Sequence, residues 1–386
     1  MDPTKLRAWW WSRQGLDGRL AGRRPAEVLQ ETGWARSVGG CNPYLALFAR
    51  SGISREDADA AIAAVEIHEL PSARGCTYVL PAADFALGLA AGQGFHDGDL
   101  KIALKLGAAS GEIDKLCDAV IKALGKGPLA TDGIKQVVGG AVRNFGPEGA
   151  KKGVTTTLPI ALGQLQARGE IRRVPLNGRL DQQRYRYALW RPNPLTKFKL
   201  SREEVHTELA RHYFHWAGPA TMADFQAFSA LGVKAAQAAV APLKLAGEER
   251  LMLPEDRDAF ERFQVPKKPQ YALVGSIDNI SLGVGSFRSL LSKEDEGRKE
   301  AQGLEETSGH AIVDRGRLVG LWVYDPATES IAWMSFVAAN PALKEAVKRT
   351  EDYVRTQLGD ARGFGLDSPK SRVPRIEALR KAAARV

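Results

Sequence analysis

Residues 154–190 constrain the fold of this chain most, because one continuous segment has the pattern of a helix followed by two short strands. Thr157 can cap a helix that begins beside it, Pro159 is tolerated in a first helical turn, and Gly169 is typical of a residue just after a helix end. Apolar residues repeat between them at the spacing of one helical face: Leu158, Ala161, Leu162 and Leu165. The segment predicts a helix of about three turns that begins near Thr157.

Two alternating runs follow this helix, at residues 170–176 and 184–190, and both mix apolar with basic residues. Asn177 and Gly178 between them form the dipeptide that most strongly favours a two-residue hairpin turn. A helix-turn-helix followed by such a hairpin is a winged helix, which places one helix in a DNA groove. The pattern therefore predicts a DNA-binding wing.

The same region is strongly basic, with nine Lys and Arg against two acidic residues over residues 151–191. Neutralising DNA phosphates is the natural use of such a surface. The alternative is a solvated hairpin whose arginines only prevent edge-to-edge aggregation. The candidate DNA contacts here are Lys151, Lys152, Thr155, Arg172, Arg173, Asn177, Arg179, Arg184 and Arg186.

Related patterns occur on both sides of this segment. An amphipathic stretch at residues 112–124, a break at 127–129 and a helix start at Thr131 complete a winged helix over residues 101–195. Helical segments at residues 201–217, 222–231 and 233–243 then predict a third unit over residues 196–256, where Ser201 and Glu204 form a capping box.

The N-terminal hundred residues fit the pattern more loosely and predict a first winged helix over residues 1–100. Its expected helices and strands lie at residues 4–16, 25–32, 43–49, 66–71 and 75–80. The alternative is an ordinary helical protein with coincidental helix-turn-helix spacing. Three consecutive tryptophans, Trp9 to Trp11, point in different directions on a helix, so at least one is expected in the core and another could face a base or a neighbouring domain.

The last third, residues 257–386, is rich in predicted strands at residues 271–284 and 310–336. We expect a small β-barrel or sheet there, followed by an amphipathic helix at residues 341–358 and a terminal helix. The predicted fold class is α+β: three tandem winged helices followed by a C-terminal small β-barrel with terminal helices.

Composition narrows the class of protein. No stretch has the apolar length of a membrane helix and no apolar signal segment begins the chain, so we expect a cytoplasmic, nucleoid-associated protein that acts as a monomer without a membrane partner. The net charge of +9 favours a polyanionic partner, here double-stranded DNA.

Motifs for cofactor or metal chemistry are scarce. Phosphate-loop, nucleophile-elbow and zinc-helix motifs are absent from the sequence, and the three cysteines are too scattered for a zinc site. His206, His212 and His215 share one helical segment, but no carboxylate or cysteine lies at a matching spacing. We therefore expect no cofactor and no metal.

Several ordered strings resemble the AlkZ/YcaQ-type winged-helix DNA glycosylases. Residues 33–50 resemble the first-domain segment of that family, and residues 73–80 resemble its Arg-Gly-Thr-x-His strand. Further similar strings lie at residues 218–225, 276–283 and 316–322. The resemblance covers nearly the whole chain and implies a concave DNA-binding channel.

The resemblance also implies a catalytic motif, Gln-x-Gln or Gln-x-Asp, which positions the water that attacks the sugar C1′ of an N7-alkylated purine. Arg36, Ser37 and Val38 occupy those positions here, and Tyr78 replaces the family's histidine. Arginine is always protonated at neutral pH and cannot act as a base, whereas Ser37 can hydrogen-bond a water molecule. Arg74 and Tyr78 join the candidate DNA contacts on the matched strand.

The candidate catalytic residues are therefore Ser37, Arg36 and Asp278. Asp278 is the first carboxylate considered because it lies in a matched strand, and Asp84 and Glu69 follow it. Two functions of different classes remain open. One is a monofunctional glycosylase that removes alkylated or crosslinked purines, and the other is a noncatalytic winged-helix DNA-binding or regulatory protein.

Overall fold

The computed structural model describes residues 1–95, 97–182, 184–282, 285–298 and 309–384. Helices surround three small antiparallel sheets in these ranges, which confirms the predicted mixture of helix and sheet. Residues 283 and 284 of the predicted strand-rich segment, and the last two residues of the tail, lie outside the described part. A search of the described helices finds none with the length and apolar character needed to cross a membrane.

The N-terminal part forms a three-stranded sheet with helices around it. The order of its strands is β1-β3-β2. Ser54 caps the start of one of the helices, where its hydroxyl accepts a hydrogen bond from the Asp57 amide at 3.0 Å. The elements are α1 (Pro3–Arg13), α2 (Pro25–Thr32), β1 (Ala35–Arg36), α3 (Asn42–Ser51), α4 (Arg55–Ala63), β2 (Ile67–Pro71), β3 (Thr77–Pro81), α5 (Phe85–Ala91) and α6 (Asp97–Lys105).

The three tryptophans of α1 are all buried. Trp9 donates its indole N–H to the carbonyl of Gly218 at 2.9 Å, and Trp10 donates to the carbonyl of Ala217 at 2.9 Å. Trp11 donates to Oε1 of Gln270 at 3.3 Å. Each ring thus buries apolar area and still satisfies its one donor, so the run fixes α1 against later parts of the chain and presents no ring to a base.

The middle part has a second three-stranded sheet, of order β4-β6-β5. The predicted helix begins at Leu158, directly after Thr157, and the left-handed Gly169 (φ +65°) follows its end. Both limits of the helix agree with the prediction, but the Thr157 hydroxyl accepts from the Arg143 amide at 3.0 Å and does not cap the helix as expected. The elements are α7 (Ser110–Leu124), β4 (Leu129–Ala130), α8 (Thr131–Val138), α9 (Gly146–Lys151), α10 (Leu158–Ala167), β5 (Ile171–Pro175) and β6 (Tyr185–Leu189).

The predicted two-residue turn at Asn177 and Gly178 is wrong, because β5 ends at Pro175 and β6 begins only at Tyr185. The longer loop docks on the body of the protein. Leu180 is 1% exposed within a core shared with α3, and its amide donates to the Tyr44 hydroxyl at 3.0 Å. Burial of this leucine outweighs the local preference for a tight turn.

The third part follows the middle part in its order of helix, short strand, helices and strand pair, but it has two helices where the middle part has three, and its strands are minimal. Single antiparallel bridges join Ala220 to Leu251 and Ala246 to Met252. The predicted capping box is confirmed, because the Ser201 amide donates to Glu204 at 2.7 Å and Ser201 Oγ accepts from the Glu204 amide at 3.2 Å. The helices are α11 (Arg202–Ala217), α12 (Met222–Ser229), α13 (Val233–Val240) and α14 (Arg257–Arg262).

The predicted C-terminal barrel is corrected to an open four-stranded sheet, of order β10-β9-β8-β7, in the part of the chain that the structure describes. Helices cover both faces, since Ile376 and Leu379 pack on one face and Leu343 on the other. Strands that are buried on both faces have nearly continuous apolar sequences. Such a sheet is covered by helices on each side and does not close into a barrel. The elements are β7 (Tyr271–Val274), β8 (His310–Asp314), β9 (Arg317–Asp325), β10 (Ser330–Ser335), α15 (Pro341–Tyr353) and α16 (Pro369–Ala383).

His310 on β8 should make the stability of this sheet depend on pH. Its Nε2 donates to the Ala361 carbonyl at 2.8 Å, its Nδ1 accepts from the Ser276 amide at 3.1 Å, and burial lowers the pKa of the imidazole to about 4. In the unfolded chain the pKa of histidine is about 6.5, so the unfolded state takes up a proton at a higher pH than the folded state does. The stability that the neutral imidazole contributes is therefore fully present above about pH 6.5 and is lost as the pH falls from there towards about 4. We expect this group to lower the free energy of unfolding by about 2 kcal/mol between pH 7 and pH 5.

Urea denaturation at several pH values measures this effect. His310→Gln should make the free energy of unfolding fall less steeply between pH 7 and pH 5 than it does in the wild-type protein, whatever the variant's stability at pH 7. Equal slopes for the wild-type protein and the variant would contradict the prediction.

Candidate active site and nucleic-acid interface

Four predicted site residues from three separate segments of the chain line one cavity of about 180 Å³: Arg36, Arg74, Tyr78 and Asp278. Phe228 of α12 and the segment around Phe287 close its other walls. Its volume is below the range of roughly 300–1,000 Å³ that is typical of pockets that hold drug-sized ligands.

Arg36 and Tyr78 are opposite each other on β1 and β3. Nη2 of Arg36 lies 3.6 Å from the Cys76 sulfur, while its Nε is buried and has no hydrogen-bond partner among the described residues. Burial raises the pKa of Tyr78 to about 12, which keeps the phenol protonated. The pair can donate hydrogen bonds into the cavity, but it cannot remove a proton from water at neutral pH.

Asp278, the first carboxylate considered, is fully buried in an ion pair. Its two oxygens accept from the two terminal nitrogens of Arg50 at 2.8 Å each, and Arg50 also donates to Gln14 at 2.9 Å. The same carboxylate caps the following turn by accepting from the Ile280 amide at 2.9 Å. With its charge neutralised in this way, Asp278 is better placed to fix the cavity wall than to activate water.

Ser37 and Glu69 form the contact that sequence reasoning missed. Ser37 Oγ donates to Glu69 Oε1 at 2.5 Å, although the two residues are 32 positions apart, and both side chains are at most 4% exposed. The phenol of Tyr185 also interacts with the Glu69 carboxylate. The sequence analysis had named Ser37 and Glu69 separately as candidate catalytic residues, but no sequence pattern indicated that they contact each other.

The middle part of the chain approaches this carboxylate through β6. Burial and the nearby charge of Glu69 raise the pKa of Tyr185, the first residue of that strand. The guanidinium of Arg173 lies 5.2 Å from the centre of the Tyr185 ring. The Ser37–Glu69 pair therefore lies close to the basic strands that were predicted to contact DNA.

Asp84 and the histidines have other partners. Asp84 accepts from the indole nitrogen of Trp34 at 2.7 Å and lies 3.3 Å from His212, while His215 lies 3.1 Å from Arg13. No cluster of three or more His, Cys, Asp or Glu suited to a metal ion occurs in the described ranges.

The predicted DNA contacts differ in how accessible they are. One group is exposed and can reach phosphates: Lys151, Lys152, Thr155, Asn177, Arg184, Arg186 and Arg74. Arg172 and Arg173 are half-buried, and burial lowers the pKa of Arg172. Arg179 pairs with Asp181 and donates to the Leu358 carbonyl at 2.8 Å, so it anchors the docked loop.

Comparisons with known proteins agree with this architecture. A family model described as "DNA glycosylase AlkZ-like" matches residues 28–361. The solved structure of the Streptomyces sahachiroi DNA glycosylase AlkZ is similar to this chain, with a TM-score of 0.66 and 16% sequence identity, over 93% of this chain and 97% of that one. No curated protein matches the chain in sequence.

Proposed function

The chain belongs to the AlkZ-like family of DNA glycosylases, and we propose that it hydrolyses the N-glycosidic bond of an N7-alkylated or crosslinked purine in double-stranded DNA. The observation that carries the proposal is the hydrogen bond between Ser37 and Glu69. Through this bond the Glu69 carboxylate lies beside residues 36–38, the positions at which the family resemblance implies a glutamine or an aspartate.

The chemistry follows from this pair. A water molecule that donates to Ser37 Oγ can pass its proton through the hydroxyl to Glu69, while its oxygen attacks C1′ of the sugar. The C1′–N9 bond breaks and its electrons go to the purine. A purine alkylated at N7 already carries positive charge and leaves as a neutral base, so orienting water and stabilising a cationic sugar are the main tasks.

DNA binding is assigned to the three units of helices and short strands. We take residues 1–100, 101–195 and 196–256 as winged helices, because in the middle and third parts a helix, a short strand, further helices and a strand pair follow in that order, and the first part has the strand pair β2–β3 after its helices α1–α4. The exposed cations near β5 and β6 then contact phosphates, which gives affinity with little base specificity. Residues 257–386 form the remaining unit.

The replacement of the expected motif by Arg36, Ser37 and Val38 favours one other candidate, a noncatalytic DNA-binding protein. Incubation with a duplex that contains N7-methylguanine distinguishes the two. We expect abasic sites to accumulate, scored as strand breaks after alkali. Tight, salt-dependent DNA binding without base release from methylated or crosslinked duplexes would contradict the glycosylase proposal and support the alternative.

Reversing charge on the exposed part of the basic surface should weaken DNA binding similarly for all sequences. We expect Arg184→Glu combined with Arg186→Glu to reduce the slope of log affinity against log salt by about two, one for each lost phosphate contact. Fluorescence anisotropy over a salt series measures the slope. Arg257→Glu combined with Arg262→Glu, at two exposed arginines of α14, is the charge-matched control. A slope unchanged in the double variant would exclude this surface as a DNA contact.

A further inference from the structure

A second cavity, of about 660 Å³, lies where three parts of the chain meet, and we call it the junction cavity. It is lined by the end of α5 and the turn that follows, by the connector of residues 195–200, and by α11 and the end of α12. No described residue lines both this cavity and the one around Arg36 and Tyr78. Its volume falls within the roughly 300–1,000 Å³ of pockets that hold small molecules. The junction cavity is therefore a separate candidate binding site.

The wall of the junction cavity is mainly apolar and includes two phenyl rings. Phe198 is half-buried, while Phe95 is 42% exposed and Leu200 of the connector is 40% exposed. Leu195 and Leu209 complete this apolar wall. A flat aromatic molecule in the cavity would remove Phe95 and Leu200 from water and could contact the rings, and both effects favour binding.

Tertiary contacts hold these walls in place. A Cβ on Gly75 would lie 2.9 Å from the Cβ of Phe95, so Phe95 packs closely against a residue that has no side chain. On the connector side, Asn193 Oδ1 accepts from the Leu195 amide at 2.8 Å, and Asn193 Nδ2 donates to the Arg168 carbonyl at 2.9 Å. A preformed wall of this kind loses little conformational freedom when it binds a ligand.

Two hydrogen-bond donors indicate an acidic group on the ligand. Arg202 and His206 lie one turn apart on α11, and both line the cavity. Neither side chain forms an ion pair or a hydrogen bond with another residue in the described part of the chain. Burial and the charge of Arg202 lower the pKa of His206, so at neutral pH the pair consists of one cation and one neutral donor.

One carboxylate, that of Asp97, also lines the cavity, at the first residue of α6. The partial positive charge at a helix N-terminus stabilises a carboxylate there, so Asp97 does not require a cation from the ligand. Arg202 is exposed to water, and an acidic group bound beside it therefore keeps part of its hydration. These charges favour an acid over an amine as the ligand.

We propose that the junction cavity binds a small aromatic molecule with an acidic group, whose rings lie against Phe95 and Phe198 and whose acid accepts from Arg202 and His206. A carboxylate or a sulfonate offers at least two acceptor oxygens, and hydrogen bonds between charged groups are stronger than those between neutral ones. This binding site goes beyond the proposed glycosylase function and does not depend on it.

Two fluorescent probes with the same aromatic rings test the proposal. One is 1-anilinonaphthalene-8-sulfonate, which carries an acid, and the other is N-phenyl-1-naphthylamine, which carries none. Both brighten in apolar surroundings, so titration of the full-length protein measures the Kd and the stoichiometry of each probe. Arg202→Gln should weaken binding of the sulfonate by about fivefold and change binding of the neutral probe by less than about twofold. Leu200→Ser should weaken both probes by about threefold, because it removes apolar contact without changing charge.

Asp97→Asn should have the opposite sign and tighten binding of the sulfonate by about twofold, because it removes a like charge from the cavity. Arg211→Gln, at an exposed arginine of α11 that does not line the cavity, is the matched control and should behave as wild type. Failure of the wild-type protein to bind the sulfonate, or equal effects of Arg202→Gln on the two probes, would overturn the proposal. Displacement of the sulfonate by saturating unmodified duplex would assign the cavity to DNA and would overturn it as well.

Discussion

Glu69→Gln is expected to slow base release from an N7-methylguanine duplex by about 10²–10⁴-fold, the range that a general base contributes to catalysis. Glutamine keeps the shape of the side chain and can still accept a hydrogen bond from Ser37 Oγ, but it cannot take the proton of the attacking water. Single-turnover kinetics with excess protein isolate this step from product release. Ser37→Ala should cause a loss of similar size, because it interrupts the same proton path.

The losses of rate caused by Glu69→Gln and Ser37→Ala should not multiply in the double variant. If Ser37 and Glu69 act as one unit, the double variant should be about as slow as either single variant, since each already removes the path. Multiplicative losses would contradict the shared role.

Asp84→Asn is the matched control for this prediction. Asp84 is also a buried carboxylate of the N-terminal part, but it faces Trp34 and His212. Its replacement should leave the rate of base release nearly unchanged. A loss with Asp84→Asn or Asp278→Asn as large as the loss with Glu69→Gln would assign the base to another carboxylate.

Arg50→Met is expected to lower the free energy of unfolding by about 3–5 kcal/mol, the cost of leaving one member of a buried ion pair uncompensated. The side chains of Arg50 and Asp278 are 1% and 0% exposed, so water cannot solvate the carboxylate that remains. The pair joins α3 to the turn that forms one wall of the cavity, across 228 positions of sequence. Urea denaturation followed by circular dichroism measures the change.

The double variant Arg50→Met, Asp278→Asn separates lost packing from an unpaired charge. Neutralising the second partner should recover a substantial part of the stability, because asparagine can still accept from the Ile280 amide and carries no buried charge. Arg24→Ala, at an exposed arginine paired with Glu27, should have a much smaller effect. A double variant less stable than Arg50→Met would contradict the explanation.

Much of the local structure follows from short sequence patterns. The cap at Ser201, the helix that begins after Thr157 and the strands on both sides of the docked loop lie close to their predicted positions. These signals depend on backbone hydrogen bonds and periodicity within a few residues, which neighbouring residues alone can specify. The ordered similarity to the AlkZ-like family, now confirmed, was also readable from the sequence.

Predictions that depended on local preference alone failed where distant parts of the chain compete. Asn177 and Gly178 favour a tight turn, yet Leu180 is buried in a core that includes residues of α3 and α15, and a longer loop joins the two strands. The last strands suggested a barrel, yet helices on both faces leave the sheet open in the described ranges. In both cases the apolar area buried against distant elements outweighs the local signal.

The sequence by itself determined many of the helices and strands, the basic surface and the family of this protein, together with a list of candidate residues. Only the tertiary structure decided which groups those candidates contact, by pairing Ser37 with Glu69 and Asp278 with Arg50. The physical reason is that a side chain's chemistry is set by the groups within hydrogen-bond distance of it. For buried polar groups those partners come from whichever distant strands and loops the packed core brings together.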